Sequence, residues 1–482
     1  MTVRTTRAPA PPRPSVRGLG VGSGTALCAG AVLGPGVLAL PALAADAAGP
    51  ASILAWLVLL VTSVPVALSF AALGARFPDG GGVATFVHRA AGPRAAAAVG
   101  WWFYGAVPIG VVAAALIGGQ YVAGALGLGP VAAAAIGAVV IAASFAANCV
   151  GLHLSGRVQL LLVALLAAVL AGAALAAAPH MTSAHFTPFM PHGWGSVGSA
   201  AGVLFFAFAG WEAASHLSGE FANPARDLPR VTVYTLTAVS VLYLGLAVTT
   251  IGALGPAAAG TDTPLTDLLA RSAGTAARPI AAAAALFLTF GAVNTYLAGA
   301  SRLGAALGRD GAAPRWLARG AAPGEVPRRS LTVLAGACAA VGTAAWLAGG
   351  DLDGLMRATS TCLASVTLAG LLSALTLLPR RTWLWHAGIA SSLITAGVLA
   401  FSGPLLLIPV VLAGLSWGFT TVVGRRRGRV RGEATGAPPT THLPQRLTAF
   451  ASRTLARSSS SPVAGGSGCG LPEQVHEPSG PG

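Results

Sequence analysis

Apolar stretches of about 20 residues recur along this chain as far as residue 423. A helix of that length crosses the hydrocarbon core of a bilayer, which is about 30 Å thick. Lipid cannot hydrogen-bond the backbone, so each stretch is expected to be an α-helix, whose amides and carbonyls are paired internally. The sequence therefore predicts an all-α integral membrane protein with twelve transmembrane helices. The predicted spans cover residues 19–43, 50–74, 95–125, 130–148, 157–178, 197–220, 231–254, 278–306, 330–349, 355–378, 384–401 and 403–423.

The charged residues agree with a membrane location. They make up 9% of the chain, against roughly 25% in an average soluble domain. All 29 basic residues are arginine, and 26 of them fall in the two termini and in the loops predicted to share their side. Arginine accumulates on the cytoplasmic side of membrane proteins. We therefore predict a multi-pass protein of the cell membrane with both termini cytoplasmic. The net charge of +15 then reflects topology and calls for no nucleic-acid partner.

The two ends of the chain differ in composition from its apolar centre. Residues 1–17 are predicted to be a cytoplasmic N-terminal segment, and residues 18–423 the membrane domain. Residues 424–482 begin with three consecutive arginines and continue with proline, serine and glycine runs. This composition predicts a disordered basic tail that starts at the anionic cytoplasmic face of the bilayer.

Two predicted spans carry glycine or proline in their middle. The first contains Gly34-Pro35-Gly36, and the sixth contains Phe208-Ala209-Gly210. Interruptions at matching positions of two five-helix halves indicate a transporter site built from broken helices. An unwound segment exposes amides that can hold a carboxylate and carbonyls that can hold an ammonium group, the two charges of an amino acid. The alternative interpretation is a packing kink whose backbone groups are satisfied by neighbouring helices.

The sixth span also carries ionisable residues, which are costly in a bilayer and are therefore functional hypotheses. Glu212, His216 and Glu220 are four residues apart, which places them on one helix face. Glu212 is interpreted as a protonatable gate or coupling group, with a structurally satisfied buried acid as the alternative. His216 either relays a proton toward Glu220 or hydrogen-bonds across helices. Glu220 lies at the cytoplasmic edge, where a salt-bridged gate and a simple topology signal both fit.

Four segments resemble the amino acid, polyamine and organocation transporter superfamily. They are LGPGVLALP at 33–41, FPDGGGVATFV at 77–87, FAFAGWEAASHLSGEFANPARDLPR at 206–230 and NTYLAGASRLGAALGRDGAAP at 294–314. The most specific part is the sixth-span pattern G-x-E followed by E-F-x-N-P-x-R-D-x-P-R. Within the superfamily the chain is most similar to exporters of methionine and branched-chain amino acids, and the resemblance covers all twelve predicted spans.

The resemblance implies a fold of two inverted five-helix repeats, with broken first and sixth helices, plus two extra helices. It places the substrate at the middle of the membrane, between the first, third, sixth, eighth and tenth helices. It assigns the interrupted part of the first span to carboxylate binding, residues 207–210 to the unwound sixth helix, Phe206 to an aromatic gate and Glu212 to the acid of G-x-E. Asn294 and Tyr296 lie on the eighth helix, where relatives face the site, and Tyr104 of the third span is a further candidate. The predicted substrate-binding residues are Gly34, Pro35, Gly36, Tyr104, Phe206, Ala207, Phe208, Ala209, Gly210, Asn294 and Tyr296.

The chain departs from its relatives in two ways. Pro35 stands where relatives have serine or threonine; it removes one amide donor but presets φ for the start of a half-helix. Some relatives carry a lysine on the fifth helix in place of a sodium ion, and this chain has no lysine, which leaves the coupling ion open. Asp351, Asp353 and Arg357 are expected to be solvated in the loop before the tenth helix.

The sequence therefore predicts a secondary active transporter of neutral, hydrophobic amino acids, exporting by alternating access with proton coupling. The predicted lining is small and apolar, and it lacks the second fixed charge that a cationic or dicarboxylate substrate needs. An importer or exchanger of cationic amino acids or polyamines is the alternative within the same fold. An enzyme is not expected, since no HExxH motif is present; a sensor without transport activity stays open, as does a homodimer. No cofactor or metal is expected.

Overall fold

The computed structural model describes residues 20–78, 82–151, 156–208, 210–212, 221, 223–320 and 325–434. Within them the chain forms fifteen α-helices, joined by short 3-10 turns and loops. The helices are α1 (Val21–Val32), α2 (Gly36–Ala48), α3 (Ser52–Arg76), α4 (Val83–Ala91), α5 (Pro93–Leu126), α6 (Pro130–Cys149), α7 (Gly156–Ala177), α8 (Trp194–Phe208), α9 (Pro224–Leu254), α10 (Pro264–Ala273), α11 (Arg278–Asp310), α12 (Arg328–Leu347), α13 (Leu352–Leu377), α14 (Trp383–Ala400) and α15 (Leu407–Ala434). Of the predicted site residues, Ala209, His216 and Glu220 lie outside the described residues.

The predicted all-α, multi-pass character is confirmed, whereas the count of twelve spans stays a prediction. Ten helical runs in the described residues are long and apolar enough to cross a membrane. The two spans with internal glycine or proline depart from this simple pattern. In the first, α1 and α2 have only 12 and 13 residues, and α2 meets the length criterion by running on into α3. In the sixth, α8 has only 15 residues.

Helix α5 is a central element of the packing. It has 34 residues and contacts α6, α11, α12 and α13. Small residues let these helices approach closely, as is typical within a bilayer, where lipid is as apolar as the helix surface. A Cβ atom at Gly119 would lie 2.0 Å from the carbonyl oxygen of Ala133 on α6. Only glycine therefore permits this α5–α6 crossing.

The other central group comprises α1, α2, α3, α8 and α9. These helices supply much of the largest cluster of buried apolar side chains. Helix α8 packs on α2, α3 and α13, so the end of α8 is brought beside the junction of α1 and α2. At the periphery, α6, α12 and α15 expose large apolar side chains such as Val139, Leu347 and Val410. Exposed apolar surface on this scale is expected where a protein faces lipid.

A polar link joins α8 to α13. The Arg357 guanidinium donates to the carbonyl oxygen of Ser199 at 2.8 Å and to the carboxylate of Asp353 at 2.5 Å. Asp351 caps α13 by accepting the Gly354 amide at 2.9 Å. The expectation that Arg357 is solvated is therefore wrong. Its side chain is 21% exposed, because it packs along α8 to reach a carbonyl group.

Candidate functional site

The first predicted span is interrupted where its sequence contains Gly34-Pro35-Gly36. Helix α1 ends at Val32 and α2 begins at Gly36, with residues 33–35 between them. Pro35 has no amide hydrogen, so it cannot continue the hydrogen-bonding pattern of α1. Its φ of −62° and ψ of −17° are already helical, which suits the residue immediately before α2. The break is thus encoded locally by proline chemistry.

The backbone amides in the first turn of α2 differ in whether they have a hydrogen-bond acceptor. The amides of Val37 and Leu38 donate to the carbonyl oxygens of Gly34 and Pro35, at 3.3 Å and 3.0 Å. Within the described residues, the Gly36 amide has no hydrogen-bond acceptor. A helix N-terminus with an unpaired amide attracts anions, because the helix dipole and the amide act in the same direction.

A cavity lies where the break meets α8. The space between its lining atoms is about 580 Å³, counting the part open to solvent. Its walls come from the α1–α2 junction, α5, α8, α11 and α13. The lining residues are Val32, Gly34, Pro35, Gly36, Phe103, Ala106, Val107, Gly110, Val111, Ala114, Phe206, Ala207, Val293, Tyr296, Thr359 and Leu363.

Six of the predicted substrate-binding residues line this cavity. They are Gly34, Pro35, Gly36, Phe206, Ala207 and Tyr296. The contributing helices correspond to the predicted first, third, sixth, eighth and tenth spans. The cavity is therefore where the resemblance implies a substrate site.

Two predicted residues face away from the cavity because of their position around their helix. On α11, Val293 and Tyr296 are three residues apart and share the cavity face. Asn294 lies outside the lining, and its side-chain oxygen accepts the Asn148 amide of α6 at 2.7 Å. On α5, the hydroxyl of Tyr104 lies 3.1 Å from that of Ser330 on α12.

A third predicted residue, Phe208, belongs to an aromatic cluster behind the cavity. Its ring centroid is 5.9 Å from that of Trp56 and 5.7 Å from that of Tyr243. The ring centroids of Trp56 and Tyr243 are themselves 5.2 Å apart, with an angle of 65° between the ring planes. Such edge-on arrangements are favourable between aromatic rings, so Phe208 anchors the end of α8 to α3 and α9.

The Phe206 ring extends across the cavity. A Cβ atom at Gly36 would fall 2.5 Å from Cδ1 of this ring, so only glycine lets the ring rest on the start of α2. A Cβ atom at Gly110 would lie 3.7 Å from its Cε2. The ring therefore spans from the helix break to the α5 wall.

One hydroxyl connects the two interrupted spans. The Tyr243 hydroxyl lies 2.7 Å from the carbonyl oxygen of Val32, at the end of α1, and 3.2 Å from that of Ala207, near the end of α8. Tyr243 is fully buried, and Val32 and Ala207 both line the cavity. The ends of α1 and α8 thus converge behind the cavity wall on a single donor.

Glu212 is buried just beyond the end of α8. It is 2% exposed, and its Oε2 accepts the Gly210 amide at 2.9 Å. The hydroxyl of Thr367 on α13 donates to its Oε1. Glu212 is not part of the cavity lining. It joins the segment that follows α8 to α13, one of the cavity walls.

Sequence reasoning missed most of the α5 wall, Thr359 and Leu363 on α13, and Tyr243. Helix α5 is apolar around its whole circumference, so no polar face marks which side packs inward. Tyr243 offered one usable signal, as a tyrosine near the middle of an apolar span. Its carbonyl partners lie 211 and 36 residues away in sequence and could not be inferred.

Comparison with known proteins identifies the family of the chain. Residues 19–423 match the family model described as amino acid permease. The chain belongs to the amino acid permease family. The resemblance seen in the sequence is thereby confirmed, and this permease is an amino acid transporter rather than an enzyme.

Individual relatives give the same family. The permease is 33% identical over 407 residues to the uncharacterized amino acid permease YecA of Bacillus subtilis, which covers 84% of the chain and 96% of YecA. It is 32% identical over 324 residues to the branched-chain amino acid permease BcaP of Bacillus subtilis, covering 63% of the chain and 69% of BcaP. It is 33% identical over 233 residues to the L-methionine/branched-chain amino acid exporter YjeH of Escherichia coli, covering 48% of the chain and 55% of YjeH.

Proposed function

We propose that this permease is a secondary active transporter of neutral, hydrophobic amino acids, such as methionine, leucine, isoleucine and valine, and that it exports them. The observation that carries the proposal is the cavity lining. The lining combines bare backbone at the helix break with an apolar wall from α5 and α13, and it includes no charged side chain among the described residues. Desolvating a charged substrate side chain there would be costly without a partner.

The carboxylate and ammonium groups common to all amino acids are complementary to the backbone groups at the ends of the helices around the cavity. The substrate carboxylate binds at the N-terminus of α2, where the Gly36 amide lacks an acceptor within the described residues. The ammonium group binds near the C-terminal ends of α1 and α8, whose carbonyl oxygens carry partial negative charge. Phe206, which already spans the cavity, serves as the gate over the bound substrate.

Substrate identity and direction draw on the relatives. The names of YjeH and BcaP both refer to branched-chain amino acids, and that of YjeH refers to export. We assign proton coupling to Glu212, which is buried against α13, with His216 and Glu220 continuing the path toward the cytoplasm. Loss or gain of a proton on an acid that bridges two elements changes how those elements are held together.

The proposed architecture follows the family. Residues 18–423 form twelve spans, as two inverted five-helix repeats plus two helices, in the cytoplasmic membrane. Residues 1–17 and the basic tail 424–482 lie in the cytoplasm. The distribution of arginine supports this orientation.

Transport by purified permease in proteoliposomes tests the proposal. Labelled methionine, leucine, isoleucine and valine are offered under imposed proton or sodium gradients, with arginine, putrescine and glutamate as controls. We expect flux of the four neutral substrates driven by the proton gradient alone. Failure of all four to move contradicts the substrate assignment, while flux of arginine or putrescine supports a cationic transporter. Binding without flux indicates a sensor.

A further inference from the structure

The α5 wall of the cavity has a gap at one position. Its lining residues recur every three or four positions along α5, which places them on one helix face. Within this series Gly110 has no side chain, and its neighbours Val107 and Val111 are valines. Thr359 of α13 lies opposite Gly110, so the gap is bounded by two different helices.

The dimensions of the gap are tight. A Cβ atom at Gly110 would lie 3.1 Å from Cγ2 and 3.6 Å from Oγ1 of Thr359. The first distance is shorter than the usual 3.5–4.0 Å contact between carbon atoms. The Thr359 hydroxyl donates to the carbonyl oxygen of Leu355 at 2.9 Å, which favours the rotamer that turns its methyl group toward Gly110. A methyl group added at Gly110 on α5 would therefore crowd the methyl group of Thr359 on α13.

We propose that Gly110 and Thr359 together form the size filter for the substrate side chain. This inference rests on the proposed function and deepens it. The backbone groups that would hold the substrate's carboxylate and ammonium lie at the α1–α2 break, and the side chain then extends toward α5 and α13. The Phe206 ring lies between the break and this wall, so it limits the space on a third side. The filter restricts substrates by volume rather than by charge.

A complementary pair of substitutions tests the filter. Gly110→Ala should reduce kcat/KM for leucine, isoleucine and methionine relative to alanine by about tenfold, because a single methylene in an apolar pocket discriminates by roughly 10–200-fold. Thr359→Ser removes the opposing methyl group but keeps the hydroxyl that bonds Leu355. It should improve transport of larger side chains, such as phenylalanine, relative to valine. The double variant should regain the wild-type substrate ratios, since the two changes act on the same contact.

Gly124→Ala is the matched control. It lies on the same helix, outside the lining, and its added Cβ would meet only the methyl group of Thr263, at 3.9 Å. We expect it to leave all substrate ratios unchanged. Glycine to alanine within a helix favours the helical state, and thermal unfolding of each purified variant verifies folding.

Three results would overturn the filter. They are an equal loss for all substrates in Gly110→Ala, an unchanged size preference in Thr359→Ser, or a double variant that is no closer to wild type than Gly110→Ala. If Gly110→Ala fails to fold, the size preference of Thr359→Ser alone tests the filter. If the wild type moves no neutral amino acid, the proposed function fails and the filter falls with it. If the wild type transports them but size selectivity is unaltered by the variants, only the filter fails.

Discussion

The buried Glu212 carboxyl accepts hydrogen bonds from different parts of the chain. The Gly210 amide belongs to its own segment, and the Thr367 hydroxyl belongs to α13. Within the described residues, Glu212 is also the only ionisable carboxyl that is buried. An acid in this position can join or release two elements according to its charge, which is what proton coupling requires.

Replacing Glu212 by glutamine removes the titrating group and keeps its size. We expect Glu212→Gln to transport at a rate that no longer depends on pH over the range in which the wild-type rate changes. Flux in proteoliposomes at several pH values, with and without a proton gradient, measures this. A variant that keeps the wild-type pH profile removes Glu212 from the coupling role.

Thr367→Val is the companion variant at the same contact. It keeps the acid and removes one hydroxyl that donates to its Oε1. We expect stability to fall by about 0.5–1.5 kcal/mol, as for a typical hydrogen bond, while transport still depends on pH. Thermal unfolding in detergent gives the first quantity, and the flux assay gives the second. Loss of pH dependence in Thr367→Val would show that the hydroxyl, and not the acid alone, is needed for coupling.

At the scale of elements, the two interrupted spans are fastened to α9 by one tyrosine. The hydroxyl of Tyr243 lies within hydrogen-bond distance of carbonyl oxygens at the ends of α1 and α8, and its ring packs on Trp56 and Phe208. A hydroxyl can donate only one hydrogen at a time. It therefore satisfies only one of these two carbonyl groups at a time.

Tyr243→Phe keeps the ring and removes this hydroxyl. We expect a loss of about 0.5–1.5 kcal/mol in stability, as for a typical hydrogen bond. We also expect weaker stabilisation by leucine than in the wild type, because the ends of α1 and α8 at the cavity are then no longer held by a common donor. Thermal unfolding with and without leucine measures both effects. Tyr121→Phe is the matched control, since its hydroxyl donates to Leu38 at 2.8 Å and accepts the Leu265 amide, both away from the cavity. An equal reduction of the leucine effect in both variants would contradict a specific role for Tyr243.

The same elements show which features of the site could be predicted from the sequence and which could not. The position of the first break could be predicted because Pro35 lacks an amide hydrogen, a property that acts within one helical turn. That Asn294 lies outside the cavity lining could not be predicted, because helical periodicity cannot say which face of an apolar membrane helix turns toward a cavity. Arg357 was misplaced for a related reason. Its acceptor is a backbone carbonyl group 158 residues away, and no sequence pattern identifies such a partner.

At the scale of the whole molecule, the cavity lies where two clusters of buried apolar side chains meet. Its lining combines residues from the largest core cluster, such as Val32 and Ala207, with residues of a second cluster formed by α5, α11 and α12, such as Val107 and Val293. Packed clusters of this kind move as units, since close-packed interiors deform little. Alternating access in this permease would then consist of movement of one cluster against the other around the cavity.

The direction of transport has meaning only once the orientation of the chain is known. The proposed topology places 26 of the 29 arginines on the cytoplasmic side, so the inverted arrangement would place 26 outside. We therefore expect a fluorescent protein fused after Gly424 to fluoresce, because it folds in the cytoplasm. Alkaline phosphatase inserted between α7 and α8, in residues 181–193, should be active, because it needs an oxidising compartment to form its disulfides. Phosphatase that is active when fused at the C-terminal position and inactive in the α7–α8 loop would show that the topology is the inverse of the proposed one. The proposed proton path through His216 and Glu220 would then lead to the outer side of the membrane instead of the cytoplasm.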